Sequence, residues 1–217
     1  MTLKIILADD HAIIRDGLRA LLEKDPHMEV VEEAEDGRVA VQQAKELSPD
    51  VVVMDIAMPN LNGTEATRQI KARSPKIKVI ALSMHSDKRF VAEMLTAGAS
   101  GYVLKNSAFK EMIQAINAVV QHGTYLSPMA ARPIVEACLE VWSKGESPFA
   151  SPLTPREREV LQLLSEGNSS KEAAFILNLS VKTVDTHRYR IMKKLNFRSL
   201  AELTKYAIKE GITSLDI

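Results

Sequence analysis

Residues 51–63 read Val51-Val52-Val53-Met54-Asp55-Ile56-Ala57-Met58-Pro59-Asn60-Leu61-Asn62-Gly63. Four apolar residues end in an acid, a loop containing proline follows, and the chain then takes up a helical period. A short, continuously apolar run of this kind is the mark of a strand buried on both faces. The same grammar recurs on either side. Leu3–Ala8 runs into Asp9 and Asp10, residues 77–82 run into Ser83, Gly101–Leu104 runs into Lys105, and Met28–Ala34 supplies a fifth run. Between the runs lie residues 12–23, Gly37–Leu47, 64–73, 87–97 and 107–121, each with the length and period of a helix. Strands alternating with helices predict an α/β unit, a five-stranded doubly wound parallel sheet, over residues 1–123.

After Gly123 the pattern changes. Residues 124–150 hold Ser127-Pro128, an amphipathic stretch with Ile134, Val135, Leu139 and Trp142, and then Gly145-Glu146-Ser147-Pro148. This reads as a linker carrying one helix, with Pro133 near the helix start. The stretch has too few basic residues for a membrane-surface helix, so packing against a domain is the expected role. From residue 151 to 217 only helices are expected. Thr154-Pro155-Arg156-Glu157 has the form of a capping box, and Val160, Leu161, Leu163 and Leu164 supply the buried face behind it. A short helix over residues 171–177, a break at Asn178-Leu179-Ser180, a helix at Val181–Leu195 and a last one at Leu200–Lys209 complete a small all-α, four-helix unit.

The 217 residues suit two compact units, and 46% hydrophobic with 26% charged residues excludes disordered, collagen-like and coiled-coil chains. No apolar run approaches the roughly 18 residues of a membrane span, and the N-terminus lacks a cleavable apolar leader, so a cytoplasmic protein is expected. Cys138 is the single cysteine, which leaves neither an internal disulfide nor a cysteine-rich zinc site. The net charge of zero hides an asymmetry. Residues 1–126 carry 15 basic side chains against 17 acidic ones, whereas residues 151–217 carry 11 against 8.

In an open parallel sheet the ligand crevice lies at the carboxyl ends of the strands, where chain order reverses. Asp9, Asp10, Asp55, Ser83 and Lys105 all fall at strand ends. A lone aspartate before a turn is usually a helix cap, but joint placement on consecutive strand ends is not explained that way. Two such carboxylates 4 Å apart repel by about 4 kcal/mol at an effective dielectric near 20. A cation must compensate, and an oxygen-only donor set suits Mg²⁺ with phosphate as co-ligand. Lys105 adds a movable positive charge. Asp55 is then a plausible nucleophile toward a phosphoryl group.

The segments Leu7-Ala8-Asp9-Asp10-His11, residues 53–63, Ala81-Leu82-Ser83 and residues 98–105 together resemble the receiver domain of two-component response regulators, a flavodoxin-like fold. The resemblance covers residues 1 to about 123. It implies that Asp55 accepts a phosphoryl group from a sensor histidine kinase and that Asp9, Asp10, Asp55 and the Ala57 carbonyl organise Mg²⁺. It further implies that Lys105 contacts the phosphoryl group, and that Ser83 and Tyr102 form a switch pair in which the ring follows the hydroxyl inward. Ala57 and His85 flank the pocket.

On a wheel of Val181–Leu195, Val184, Ile191 and Leu195 fall within about 40°, with Val181 and Met192 beside them. Lys182, Thr183, Asp185, Thr186, Tyr189, Arg190 and Lys193 are the candidates for DNA contact, a mixture of groups suited to phosphates and to base edges. His187 is expected to make a structural hydrogen bond. Residues 153–161, 179–187 and 191–195 closely resemble the LuxR-type helix-turn-helix of the NarL/FixJ subfamily. This implies double-stranded DNA as partner, a homodimer on activation through the last helix, and contact with RNA polymerase. Phe175 departs from that pattern and is expected to make the packing of its helix bulkier. A metal-dependent phosphohydrolase is the rival reading; it wants a general acid two residues beyond the nucleophile, where Ala57 stands. A regulator independent of phosphorylation is a second rival, against which the complete acidic set argues.

Overall fold

A computed structural model describes residues 2–144 and 152–213 of the chain. The turn-rich residues 145–148, with Ser151 and the side chain of Trp142, lie outside what is described. The first unit runs β1 (Leu3–Ala8), α1 (Ala12–Leu22), β2 (Met28–Ala34), α2 (Gly37–Leu47), β3 (Val51–Asp55), α3 (Gly63–Arg73), β4 (Lys78–Ser83), α4 (Lys88–Thr96), β5 (Gly101–Leu104), α5 (Ala108–Gln121) and β6 (Tyr125–Leu126). The strands are parallel in the order β2-β1-β3-β4-β5-β6. Six strands therefore replace the five expected. Gly123, at a φ of 86°, ends α5 and turns the chain back so that Tyr125 and Leu126 pair with Gly101 and Tyr102. A two-residue strand is too short to leave a period in the sequence.

Alternate residues of each strand feed opposite cores. Ile5, Leu7, Val51, Val53, Ile80 and Leu82 meet Leu18 and Leu22 of α1 and Met112, Ile116 and Val119 of α5. Ile6, Ala8, Val52, Met54 and Val79 meet Ala40 and Ala44 of α2 and Ala66 and Ile70 of α3. Burial on both sides is why the strands are apolar throughout. Since β1 is followed by β2 on one side and β3 lies on the other, chain order reverses between β1 and β3 and opens a crevice at their carboxyl ends.

The helix α6 (Pro128–Lys144) starts one turn earlier than the sequence suggested and contains Pro133 in its interior. Its Ala130 and Ile134 join Val91 and Met94 of α4 and Leu104 in a third cluster. The first part of the expected linker is thus packed on the sheet unit, the role expected of its amphipathic stretch.

The second unit is α7 (Pro155–Ser165), α8 (Ser170–Leu177), α9 (Val181–Leu195) and α10 (Leu200–Lys209). Capping boxes at Thr154/Glu157, Ser169/Glu172 and Ser199/Glu202 start three of them, with the serine or threonine accepting from the third backbone N–H and the glutamate reaching back. Val160, Leu161, Ala173, Ala174, Leu177, Val184, Ile191, Leu203 and Ala207 form one core. Val181, expected beside that stripe, is exposed at the first position of α9. Asn178 at φ 53° makes the tight turn between α8 and α9, and Ser180 caps α9. Phe175 is 89% exposed, so it does not thicken the packing of α8; it occupies the outer face of that helix.

The loop between Asp55 and α3 is held closely. Gly63 donates its N–H to the Ile56 carbonyl, and a Cβ at Gly63 would run into the Asp55 carbonyl oxygen. Because the obstacle is backbone, Gly63→Ala is expected to cost about 3 kcal/mol. Urea unfolding checks this: the midpoint should fall with the slope unchanged.

Candidate functional site

The ends of β1, β3, β4 and β5 bring Asp9, Asp55, Ser83 and Lys105 together at the crevice. Asp9 and Asp55 are each only 2% exposed, while Asp10 and His11 stand at the open rim. The Lys105 Nζ lies 2.8 Å from Asp9 Oδ2 and 2.8 Å from Asp55 Oδ2, bridging the two carboxylates. Burial raises the Asp55 carboxyl above its ordinary range and the nearby Asp9 adds to this, with Lys105 and the Ala57 N–H acting against them. Ala57 N–H donates to Asp55 Oδ1 at 3.4 Å.

Ligand atoms of Asp9, Asp10, His11 and Asp55 lie within 4.8 Å of one another. Three carboxylates against one ammonium leave the pocket short of positive charge, and the donors are predominantly hard oxygen, so the residues present fit a divalent cation of the Mg²⁺ type. His11 follows the two aspartates in the motif but has no expected role from sequence. Its Nδ1 is 2.7 Å from Asp10 Oδ1 and 3.2 Å from Asp9 Oδ1, which adds a nitrogen to the rim. The signal was there in the contiguous Asp-Asp-His triplet.

Ser83 is buried and its hydroxyl accepts from the His85 N–H at 3.0 Å. Tyr102 is fully buried, and its hydroxyl donates to the His85 carbonyl at 2.6 Å. The inward position expected of this ring after switching is the one it already holds. The His85 ring stacks on Phe90 at 4.8 Å.

In the second unit, α9 presents Lys182, Asp185, Thr186, Tyr189, Arg190 and Lys193 on an exposed face. Thr183 stands apart: it is half-buried, with its hydroxyl 2.8 Å from that of Ser180. Asp185 accepts from the Ser170 hydroxyl at 2.8 Å, which fixes the start of α8 against α9. His187 makes no hydrogen bond through its buried Nδ1, contrary to the bond expected of it; its neighbours on this stripe are apolar.

The two units also touch, through residues the sequence reading had assigned no role. Arg158, buried on α7, pairs with Glu93 of α4 at 2.9 and 2.8 Å and with Glu65 of α3 at 3.1 Å. Gln162 bonds to the backbone of Met58 and Asn62.

Residues 5–117 match the response regulator receiver domain family, and residues 151–207 match the bacterial regulatory proteins of the luxR family. The chain is 36% identical to the transcriptional regulatory protein DegU of Brevibacillus brevis over 96% of its own length and 94% of that protein. It is 37% identical to the response regulator UvrY of Escherichia coli K12, covering 99% and 97% respectively. Among solved structures, RcsB of Salmonella enterica serovar Typhimurium bound to a promoter with the phosphomimetic BeF₃⁻ is similar at a TM-score of 0.64 and 27% identity, covering 95% of this chain and 98% of that one.

Proposed function

The chain belongs to the two-component response regulators that join a receiver to a LuxR-type DNA-binding domain, and from this we propose that phosphorylation of Asp55 controls its dimerisation and its binding to DNA. The observation that carries the reading is the Lys105 bridge between two buried carboxylates at the point where the sheet order reverses. Asp55 Oδ attacks phosphorus, the new O–P bond forms as the N–P bond of a kinase phosphohistidine breaks, and the released imidazole takes a proton. Lys105 can follow the phosphoryl oxygens, and the Ser83 hydroxyl can donate to one of them. Asp9, Asp10, Asp55 and the Ala57 carbonyl would hold Mg²⁺, which supplies positive charge to the equatorial oxygens during transfer. In this reading the chain accepts a phosphoryl group and is not a turnover enzyme.

The exposed α9 face is the proposed DNA-reading surface, with Lys182, Arg190 and Lys193 on phosphates and Asp185, Thr186 and Tyr189 toward bases, while Thr183 is half-buried at the helix start with its hydroxyl against that of Ser180. RcsB on its promoter supports this use of the second unit. A homodimer through α10, a sensor histidine kinase and RNA polymerase are the proposed partners. Among the described residues no helix is long and apolar enough to cross a membrane, and a cytoplasmic location is proposed. Lys193→Ala should weaken binding to all sequences alike and reduce the salt slope by about 1, whereas Tyr189→Ala should cost about 1–3 kcal/mol on the preferred site only. Titrating specific and random duplexes at several salt concentrations checks both; an unchanged slope for Lys193→Ala would remove it from the phosphate contacts.

A further inference from the structure

Asp9 is held at several points, and one of them comes from a residue outside the pocket. Its N–H donates to the Ala34 carbonyl of β2, its Oδ1 accepts from the His11 N–H, and its Oδ2 meets Lys105. Its carbonyl oxygen accepts from Arg15 Nη1 at 2.6 Å. That oxygen belongs to the peptide joining Asp9 to Asp10. Because a peptide is planar, holding its oxygen sets the direction in which both residues, and so both carboxylates, leave the plane. The strand β1 ends one residue earlier, at Ala8, so this carbonyl lies past the sheet ladder.

Arg15 is itself fixed. It is half-buried on α1, one turn past His11, and its Nε donates to Glu33 Oε2 at 3.0 Å. Glu33 stands on β2 opposite Leu7 of β1, and its backbone carbonyl accepts from Gln43 of α2 at 2.9 Å. One rigid, planar guanidinium therefore ties a carboxylate on β2 to the peptide between two acidic residues of the pocket. A lysine has a single nitrogen on a flexible stem and does not reproduce that fork.

Arg19, one turn further along α1, provides a comparison within the same helix. It donates to Glu33 Oε1 at 2.6 Å, to the Val30 carbonyl at 3.1 Å and to Glu23 at 3.0 Å. Both arginines fasten α1 to β2, but none of these Arg19 bonds reaches the pocket. The bond to the Asp9 carbonyl thus adds something that docking of the helix does not require.

We propose that Arg15, braced by Glu33, is a positioning residue for the cation site, setting the Asp9–Asp10 peptide so that the two carboxylates are presented to Mg²⁺ together. This rests on the reading of the pocket as a Mg²⁺ site. Groups that orient metal ligands without touching the metal are commonly worth about ten- to a hundredfold in affinity. Charge alone works in the opposite direction, since losing a cation beside the pocket favours a divalent ion. Substitutions that keep the charge isolate the orienting role.

The test compares the full chain as Arg15→Lys and as Arg19→Lys with wild type. Mn²⁺ alone is the probe, its free ion read by electron paramagnetic resonance, and Mg²⁺ is then added in competition. Arg15→Lys is expected to bind both ions about tenfold more weakly, and its Asp10 amide ¹⁵N resonance to move before any metal is added. Arg19→Lys is expected to keep the wild-type affinity and resonance, although both variants lose stability to urea alike. Arg15→Met should also bind more weakly, despite the lost positive charge. Wild-type affinity in Arg15→Lys, equal weakening in Arg15→Lys and Arg19→Lys, or tighter binding in Arg15→Met would overturn the proposal. If wild type bound neither ion, the cation site itself would fall, and the role of Arg15 with it.

Discussion

Asp55→Ala is expected to take up no phosphoryl group from a small phosphodonor such as acetyl phosphate in Mg²⁺, with labelling at least roughly a thousandfold below wild type. The reason lies in where the charge can go. Among the carboxylates of the pocket, Asp55 and Asp9 are the buried ones, and both are bridged by Lys105. The two are not equivalent, however. The carboxylate of Asp9 is engaged by the His11 N–H at 2.9 Å and the His11 ring, whereas Asp55 Oδ1 has only the long bond from Ala57. Asp55 therefore has the freer oxygen for attack. Mass spectrometry of the labelled chain after borohydride trapping checks the site, and persistent label on Asp9 or Asp10 would overturn the assignment.

Lys105→Met is expected to destabilise the receiver by about 3 to 5 kcal/mol at neutral pH when divalent metal is chelated, because two buried carboxylates lose their shared counter-charge. The pH dependence has a definite sign. Burial, with Asp9, raises the folded-state pKa of Asp55 above its unfolded value, and removing Lys105 raises it further. A carboxyl raised in the folded state binds protons on folding, so stability climbs as pH falls from the folded pKa toward the unfolded one. The difference between Lys105→Met and wild type should accordingly shrink on acidification. It should shrink as well on adding Mg²⁺ at neutral pH, since a cation that binds only the folded pocket stabilises it. Urea denaturation at pH 5 and pH 7.5, with and without Mg²⁺, measures both; a penalty that grew on acidification would contradict the electrostatic account.

Much of this arrangement was legible in the sequence because it is dictated by burial. Strands covered on both faces must be apolar throughout, so Val51–Asp55 and its counterparts stood out, and a polar residue at each strand end was placed at the crevice by topology alone. The meeting of Asp9, Asp55 and Lys105 followed from that. The capping box at Thr154 is local and likewise readable. Other features were not, each for a physical reason. Tyr125 and Leu126 form a strand only because β5 offers an open edge beside them, which two residues cannot announce. Phe175 has a large apolar side chain and reads as core, yet the position it occupies on α8 faces away from α7 and α9.

The contact between the units was hidden most thoroughly. Arg158, Gln162 and Glu166 recur every four residues and look like the solvated stripe of an amphipathic helix. A polar stripe that docks on another polar surface has the same sequence as one that faces water. Glu65 and Glu93 were hidden in the same way on α3 and α4. Only the structure, by bringing Arg158 to both, distinguishes a buried ion pair from two exposed acids.

Control of assembly and DNA binding by the state of Asp55 is tested most directly by light scattering and DNA binding at one fixed salt concentration. Wild type and Asp55→Ala are compared with and without Mg²⁺ and beryllofluoride. A dimer and tighter DNA binding are expected in wild type alone, and only when both additions are present. A wild type that stays unchanged on addition, or an Asp55→Ala chain that responds equally, would contradict it and move control of the DNA-binding unit away from Asp55.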